Sequence, residues 1–251
     1  MGNRTILRWV AGLIVCCCYC GIGHAQNLIE TVKTGNLTAV QRILQKKKKT
    51  VNINEVDAEG LTSLMVATIA NDSVMVETLL SAGADPNAAT PQGVTVLHFA
   101  AFHNRDRFSQ LIIQAGAKPN VFDYRGQTPL HVACQVGSTN IVTQLVDAGA
   151  FINLQDRKGN PPIIIACGNR HLGVLEELLE KGAFVDSRDY QGRTAAMLLS
   201  VLGEDEMLRI LLSRKPDISI VDYSGKSALT HARLHRRWTI IQMLKKAGAK
   251  Y

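Results

Sequence analysis

Asp123-Tyr124-Arg125-Gly126-Gln127-Thr128-Pro129-Leu130-His131-Val132-Ala133-Cys134 carries three physical instructions in one short stretch. Asp123 to Gly126 is turn chemistry, with Gly126 able to take the positive φ of a tight connection. Thr128 offers a side-chain oxygen as helix N-cap, and Pro129 stands at the first helical position, where its missing N–H costs nothing. Leu130, Ala133 and Cys134 then begin a short apolar helix face.

The chain repeats this stretch. Gly60, Gly93, Gly126, Gly159, Gly192 and Gly225 follow one another at intervals of 33 residues. Two places after each Gly stand Thr62, Thr95, Thr128, Pro161, Thr194 and Ser227, and four places after stand Leu64, Leu97, Leu130, Ile163, Ala196 and Leu229. A second register closes most units, as in Ala82-Gly83-Ala84, Ala115-Gly116-Ala117, Ala148-Gly149-Ala150, Lys181-Gly182-Ala183 and Ala247-Gly248-Ala249. A fixed period of this size means a stacked array in which each unit hides its apolar side against a neighbour.

With Thr128-Pro129-Leu130-His131-Val132-Ala133 and the Asp85-Pro86-Asn87 that follows Ala82-Gly83-Ala84, the chain resembles the ankyrin repeats from about residue 28 to 251. The resemblance implies an all-α solenoid of helix-turn-helix units with projecting β-hairpin loops. It also implies that His98 and His131 are structural, tying hairpin backbone to helix. The expected organisation is 1–25 a signal peptide, 26–53 an N-terminal capping repeat, and 54–251 six ankyrin repeats with the last as C-terminal cap.

The first residues stand outside the period. Arg4 and Arg8 precede an uncharged apolar run from Trp9 to Ile22, and Gly23-His24-Ala25 puts small residues at the minus-three and minus-one positions of a cleavage site. This is the pattern of a secretory signal peptide cut after Ala25, and the run is short for a spanning helix. The expected location is therefore secreted, periplasmic or in the secretory-pathway lumen. A signal anchor kept in place, giving a membrane-tethered scaffold, is the alternative. After cleavage only Cys134 and Cys167 remain; they hold the same place in adjacent units. Packed helices lie about 8–10 Å apart and a disulfide needs Cα atoms within about 7 Å, so two unbridged buried thiols are expected.

Within the array, Gly35 to Gly60 is 25 residues where the register wants 22, which places an insertion at Lys46 to Lys49, a solvated loop. Asn71 and Asn104 replace Gly between paired helices, Asn being the next best residue for a left-handed cap. Two units depart further: Pro161 and Ile164 replace the Thr cap and the His of the fourth, and Arg214-Lys215-Pro216 replaces Ala-Gly-Ala in the fifth.

No catalytic or metal constellation stands out. His131 has only Cys134 near it as a second ligand type, and Glu204, Asp205 and Glu206 begin a helix, where acidic residues complement its dipole. Neither a phosphate loop nor a nucleophile motif occurs. The reading is a non-enzymatic interaction module without cofactor or small-molecule substrate. The net charge of +7 falls in separate clusters, and with almost no aromatic residues among them nucleic acid is not the expected partner. The loop tips say more. Tyr124, Arg157, Tyr190 and Tyr223 align in one register, beside Arg125, Lys158 and Gln191. Tyr and Arg are enriched in binding hot spots, so these seven residues are the candidate surface for a protein partner. Phe102, His103, Gln135 and Val136 would extend it onto the inner helices. Asn36-Leu37-Thr38 and Asn71-Asp72-Ser73 are glycosylation sequons, of use only in a eukaryotic secretory pathway.

Overall fold

A computed structural model describes residues 27–46 and 51–250. The signal-peptide expectation for 1–25 and most of the inserted lysine loop lie outside the described residues. Among the described residues there are fourteen helices and no strand. In chain order they are α1 Leu28–Lys33, α2 Leu37–Lys46, α3 Ser63–Ile69, α4 Ser73–Ser81, α5 Val96–Phe102, α6 Asp106–Gln114, α7 Pro129–Val136, α8 Thr139–Asp147, α9 Pro162–Gly168, α10 Leu172–Glu180, α11 Ala195–Leu202, α12 Asp205–Ser213, α13 Ala228–Leu234 and α14 Trp238–Lys246. Odd-numbered helices pack on odd-numbered helices of the next pair, and even on even, so the pairs pile up in sequence order.

Helices of 6 to 10 residues are too short to persist alone. Burial between neighbours holds them. Leu64, Leu97, Leu130, Ile163, Ala196 and Leu229, the residues of the apolar register, are all buried, and one apolar core runs unbroken from Leu28 to Leu244. Cys134 and Cys167 are buried in it as free thiols. Burial pushes the Cys167 thiol up to about 12 and Cys134 higher still, so both behave as small hydrophobes.

The turn between paired helices is left-handed at every unit: Asn71, Asn104, Gly137, Arg170, Gly203 and Arg236 all have positive φ. Asn71 and Asn104 take the place of Gly as the sequence predicts. Arg170 and Arg236 take it too, without the local hydrogen bonding that makes Asn tolerant there. The projecting hairpins are slighter than the family resemblance implies. Four of the six are pinned by a single antiparallel bridge, Val56 to Thr62, Ala89 to Thr95, Arg188 to Thr194 and Val221 to Ser227, and the loops around Gly126 and Gly159 have none. Side chains supply what a longer ladder would otherwise give.

Candidate functional site

The loop tips are built on an aspartate register. Asp123 accepts from the backbone N–H of Arg125 at 2.9 Å and of Gln127 at 2.8 Å. Asp57, Asp156, Asp189 and Asp222 do the same for the N–H groups two and four places on. Thr90 substitutes in the second unit, accepting from Val94 N–H at 3.1 Å. These side chains rigidify a turn that has almost no sheet. Burial alone would raise the Asp222 carboxyl, but the Lys226 and Ser224 backbone N–H groups, the Ser224 hydroxyl and His231 outweigh it and hold the group well below the carboxylate range.

Histidines join one loop to the next unit. Thr128 N–H donates to His131 Nδ1 at 3.1 Å, and His131 Nε2 reaches the Leu154 carbonyl at 3.0 Å. His98 repeats this with Thr95 at 3.1 Å and the Gln127 carbonyl at 3.1 Å. A carbonyl can only accept, so Nε2 carries the proton and Nδ1 is bare; both rings are neutral. Burial, first of all, lowers the pKa of each. The structural role implied by the family resemblance holds, with the difference that the carbonyl belongs to the following unit.

On this frame the tips line up. Arg157 N–H donates to the Arg125 carbonyl at 3.0 Å, Tyr124 N–H to Gln92 at 2.8 Å and Tyr223 N–H to Gln191 at 3.0 Å. The side chain of each of several tips lies over the glycine of the unit before. A Cβ on Gly159 would stand 2.1 Å from the Tyr190 ring, one on Gly192 2.8 Å from Tyr223, and one on Gly126 2.9 Å from the Arg157 stem. That close approach, as much as positive φ, is why the register is glycine. Tyr190 and Tyr223 are nonetheless 62% and 77% exposed. Tyr124 differs: its ring faces the Arg125 guanidinium, 5.6 Å from the ring centre, and Arg125 also bonds Asp123. Lys158 and Gln191 are exposed beside the row. Phe102 and Val136 are part-exposed on the inner helices, with His103 edge-on to Phe102 at 5.2 Å. Asn36 and Asn71 are exposed at inter-helix turns; Asn36 Oδ1 caps α2 through Ala39 N–H.

A second feature went unread in the sequence. Asn54, Asn87, Asn120, Asn153 and Asp186, which begin the units, each accept a backbone N–H 31 residues on, from the segment that leads into the following unit, at 2.8–3.0 Å. The recurrence of Asn at a unit start was the available signal. Among the described residues no group of three His, Cys, Asp or Glu could hold a metal ion. A hollow of about 410 Å³ between α2 and α4 is lined by Gln41, Leu44, Val74 and Glu77 among others and gathers no cluster of acid–base side chains. Glu204 opens α12 and bonds Arg170 at 2.8 Å, a surface ion pair beside a helix start.

The stacked helix pairs, the Gly turns and the Thr–His caps define a repeat protein of the ankyrin class. The family model described as "Ankyrin repeats (3 copies)" matches residues 28–123 and 97–189, more than half of the chain, and the chain belongs to that family. Among solved structures it is similar to the ankyrin repeat domain of Bcl-3, titled a unique member of the IkappaB protein family. The two share 29% identity at a TM-score of 0.81, covering 89% of this chain and 100% of that one. It also shares the fold of the human ASB11 ankyrin repeat domain, at 23% identity and a TM-score of 0.76, over 89% of this chain and 98% of that one. None of the curated proteins matches the sequence. Ankyrin repeat domains generally mediate protein–protein interaction and are typically non-enzymatic.

Proposed function

We propose that this chain is an exported, non-catalytic module that holds a protein partner along its loop tips and the adjoining inner helices. Tyr124, Arg157, Tyr190 and Tyr223 stand at the centre of the contact, with Arg125, Lys158 and Gln191 beside them. One observation carries the reading. Arg157, Tyr190 and Tyr223 are exposed yet seated on the preceding unit's glycine, and Tyr124 lies against Arg125, so the tip side chains are presented in fixed positions. Large aromatic groups held in advance lose little entropy when a partner covers them. The basic neighbours Arg157 and Lys158 suit an acidic stretch of that partner. A Tyr190→Ala/Tyr223→Ala variant should lose partner capture and keep its thermal unfolding and helix content; unchanged capture would remove the row from the site.

Export rests on Arg4, Arg8, the Trp9 to Ile22 run and Ala25. N-terminal sequencing of the mature protein tests it: Gln26 at the terminus supports release, and Met1 supports a tethered scaffold. In a eukaryotic secretory pathway Asn71 and Asn36 would be open to glycosylation, read as a mass shift removed by a glycosidase.

A further inference from the structure

The residues that follow the closing Ala-Gly-Ala register form a second row, one member per unit: Asp85, Lys118, Phe151, Phe184, Asp217 and Lys250. All six are exposed. Single exposed apolar residues need no explanation, but Phe151 and Phe184 are 62% and 67% exposed and occupy the same place in adjacent units. Their backbone is fixed. The N–H groups of Asp85, Lys118, Phe151, Phe184 and Asp217 are the donors of the inter-unit Asn and Asp bonds, at 2.8–3.0 Å. The row therefore keeps the pitch of the array, about 10 Å from member to member as for packed helices. Both aspartates are oriented as well. One oxygen of Asp85 accepts from Asn87 N–H at 2.8 Å, and one of Asp217 from Ser219 N–H at 2.9 Å and the Ser219 hydroxyl at 2.6 Å.

Read along the chain the row runs minus, plus, aromatic, aromatic, minus, plus. Read backwards it runs plus, minus, aromatic, aromatic, plus, minus. A two-fold axis between Phe151 and Phe184 therefore sets Phe151 against Phe184 of the other copy, Lys118 against Asp217 and Asp85 against Lys250. Every charge meets its opposite. A surface that complements itself under a two-fold is what an isologous dimer requires. About the same axis the tip row has no such property, since Arg157 and Lys158 would meet Tyr124 and Arg125. We propose that this second row is the contact between two copies of this chain, arranged antiparallel with the phenylalanines at its centre. Such a dimer would display two tip rows, so a partner with two binding segments would be held by both.

Sedimentation velocity of the full chain, over roughly 1–200 µM where a small interface associates, tests the pairing. The wild type should form a concentration-dependent dimer. Phe151→Ser/Phe184→Ser should weaken it at least about tenfold, with circular dichroism unchanged. Lys118→Asp alone and Asp217→Lys alone should each weaken self-association about tenfold, because each sets like charges together twice across the two-fold. An equimolar mixture of those two single variants should form a heterodimer, and the double variant Lys118→Asp/Asp217→Lys should recover the homodimer. A monomer throughout the range overturns the proposal. So does association that ignores the charge swaps, as packing of the apolar N-terminal run would, and so does failure of both the mixture and the double variant to recover.

Discussion

The third and fourth units stand side by side and close their joints by opposite means. In the third, the buried His131 ring links Thr128 at the head of its helix to the Leu154 carbonyl of its neighbour. In the fourth, Pro161 takes the cap position without a side-chain bond, and Ile164, 3% exposed, fills the imidazole's place. At this position one joint is directional and polar and the other apolar, while Asn153 and Gln155 keep polar links from the fourth unit to the fifth. His131 and Ile164 are buried to the same degree, so area does not separate them. What differs is the consequence of a change: a polar link leaves unpaired groups behind when it is cut, whereas an apolar contact tolerates reshaping.

The widest gap between the two should appear on shape-preserving substitution. His131→Leu leaves the Thr128 N–H and the Leu154 carbonyl without partners and should cost about 3 kcal/mol, whereas Ile164→Leu should cost less than about 1.5 kcal/mol. Urea unfolding followed by circular dichroism checks both, and equal losses would erase the distinction between the joints.

Acid should find the polar joints next. Burial holds the folded pKa of His98 and His131 below the ordinary 6.5, so the unfolded chain takes up protons first as pH falls. Their stabilisation is complete above 6.5 and is lost on descending from there to the lower folded value. The slope across that window is up to about 1.4 kcal/mol per pH unit for each ring. A His98→Gln/His131→Gln variant should show a flatter dependence between pH 6.5 and 5, read as the shift of the unfolding midpoint.

Smaller effects should come from repairing the weaker units. Pro161→Thr restores a cap at a position whose φ of −73° and ψ of 161° already resemble those of Thr128; a gain of about 1 kcal/mol is expected. Lys215, at φ 54° in a register otherwise held by glycine, should yield a similar gain of about 1 kcal/mol as Lys215→Gly. Smallest of all, Tyr190→Ala/Tyr223→Ala should change stability by less than about 1 kcal/mol, since both rings are mostly in solvent.

The fold could be read from residues because its cause is local and repeated. Gly126, Thr128, Pro129 and Leu130 each impose a backbone state or a buried face, and the same instructions return 33 residues later. The joints were less legible. Asn54 and its counterparts were visible as unit starts, but an acceptor meeting an N–H 31 residues away leaves no periodic trace beyond its own recurrence. The tip row was legible as a register and not as a contact. That Tyr190 rests on Gly159 depends on how closely two loops approach, which hydrophobic spacing does not encode. Tyr124, in the same register, instead turns to Arg125.

The central claim is that the exposed tip side chains hold a protein partner on a frame that does not need them for folding. Quantitative affinity capture with the wild type and with Tyr190→Ala/Tyr223→Ala, immobilised at equal density, tests it most directly. The wild type should retain one partner, and the variant, melting within a few degrees of it, should lose that partner. Equal retention of that partner by both proteins would contradict the claim.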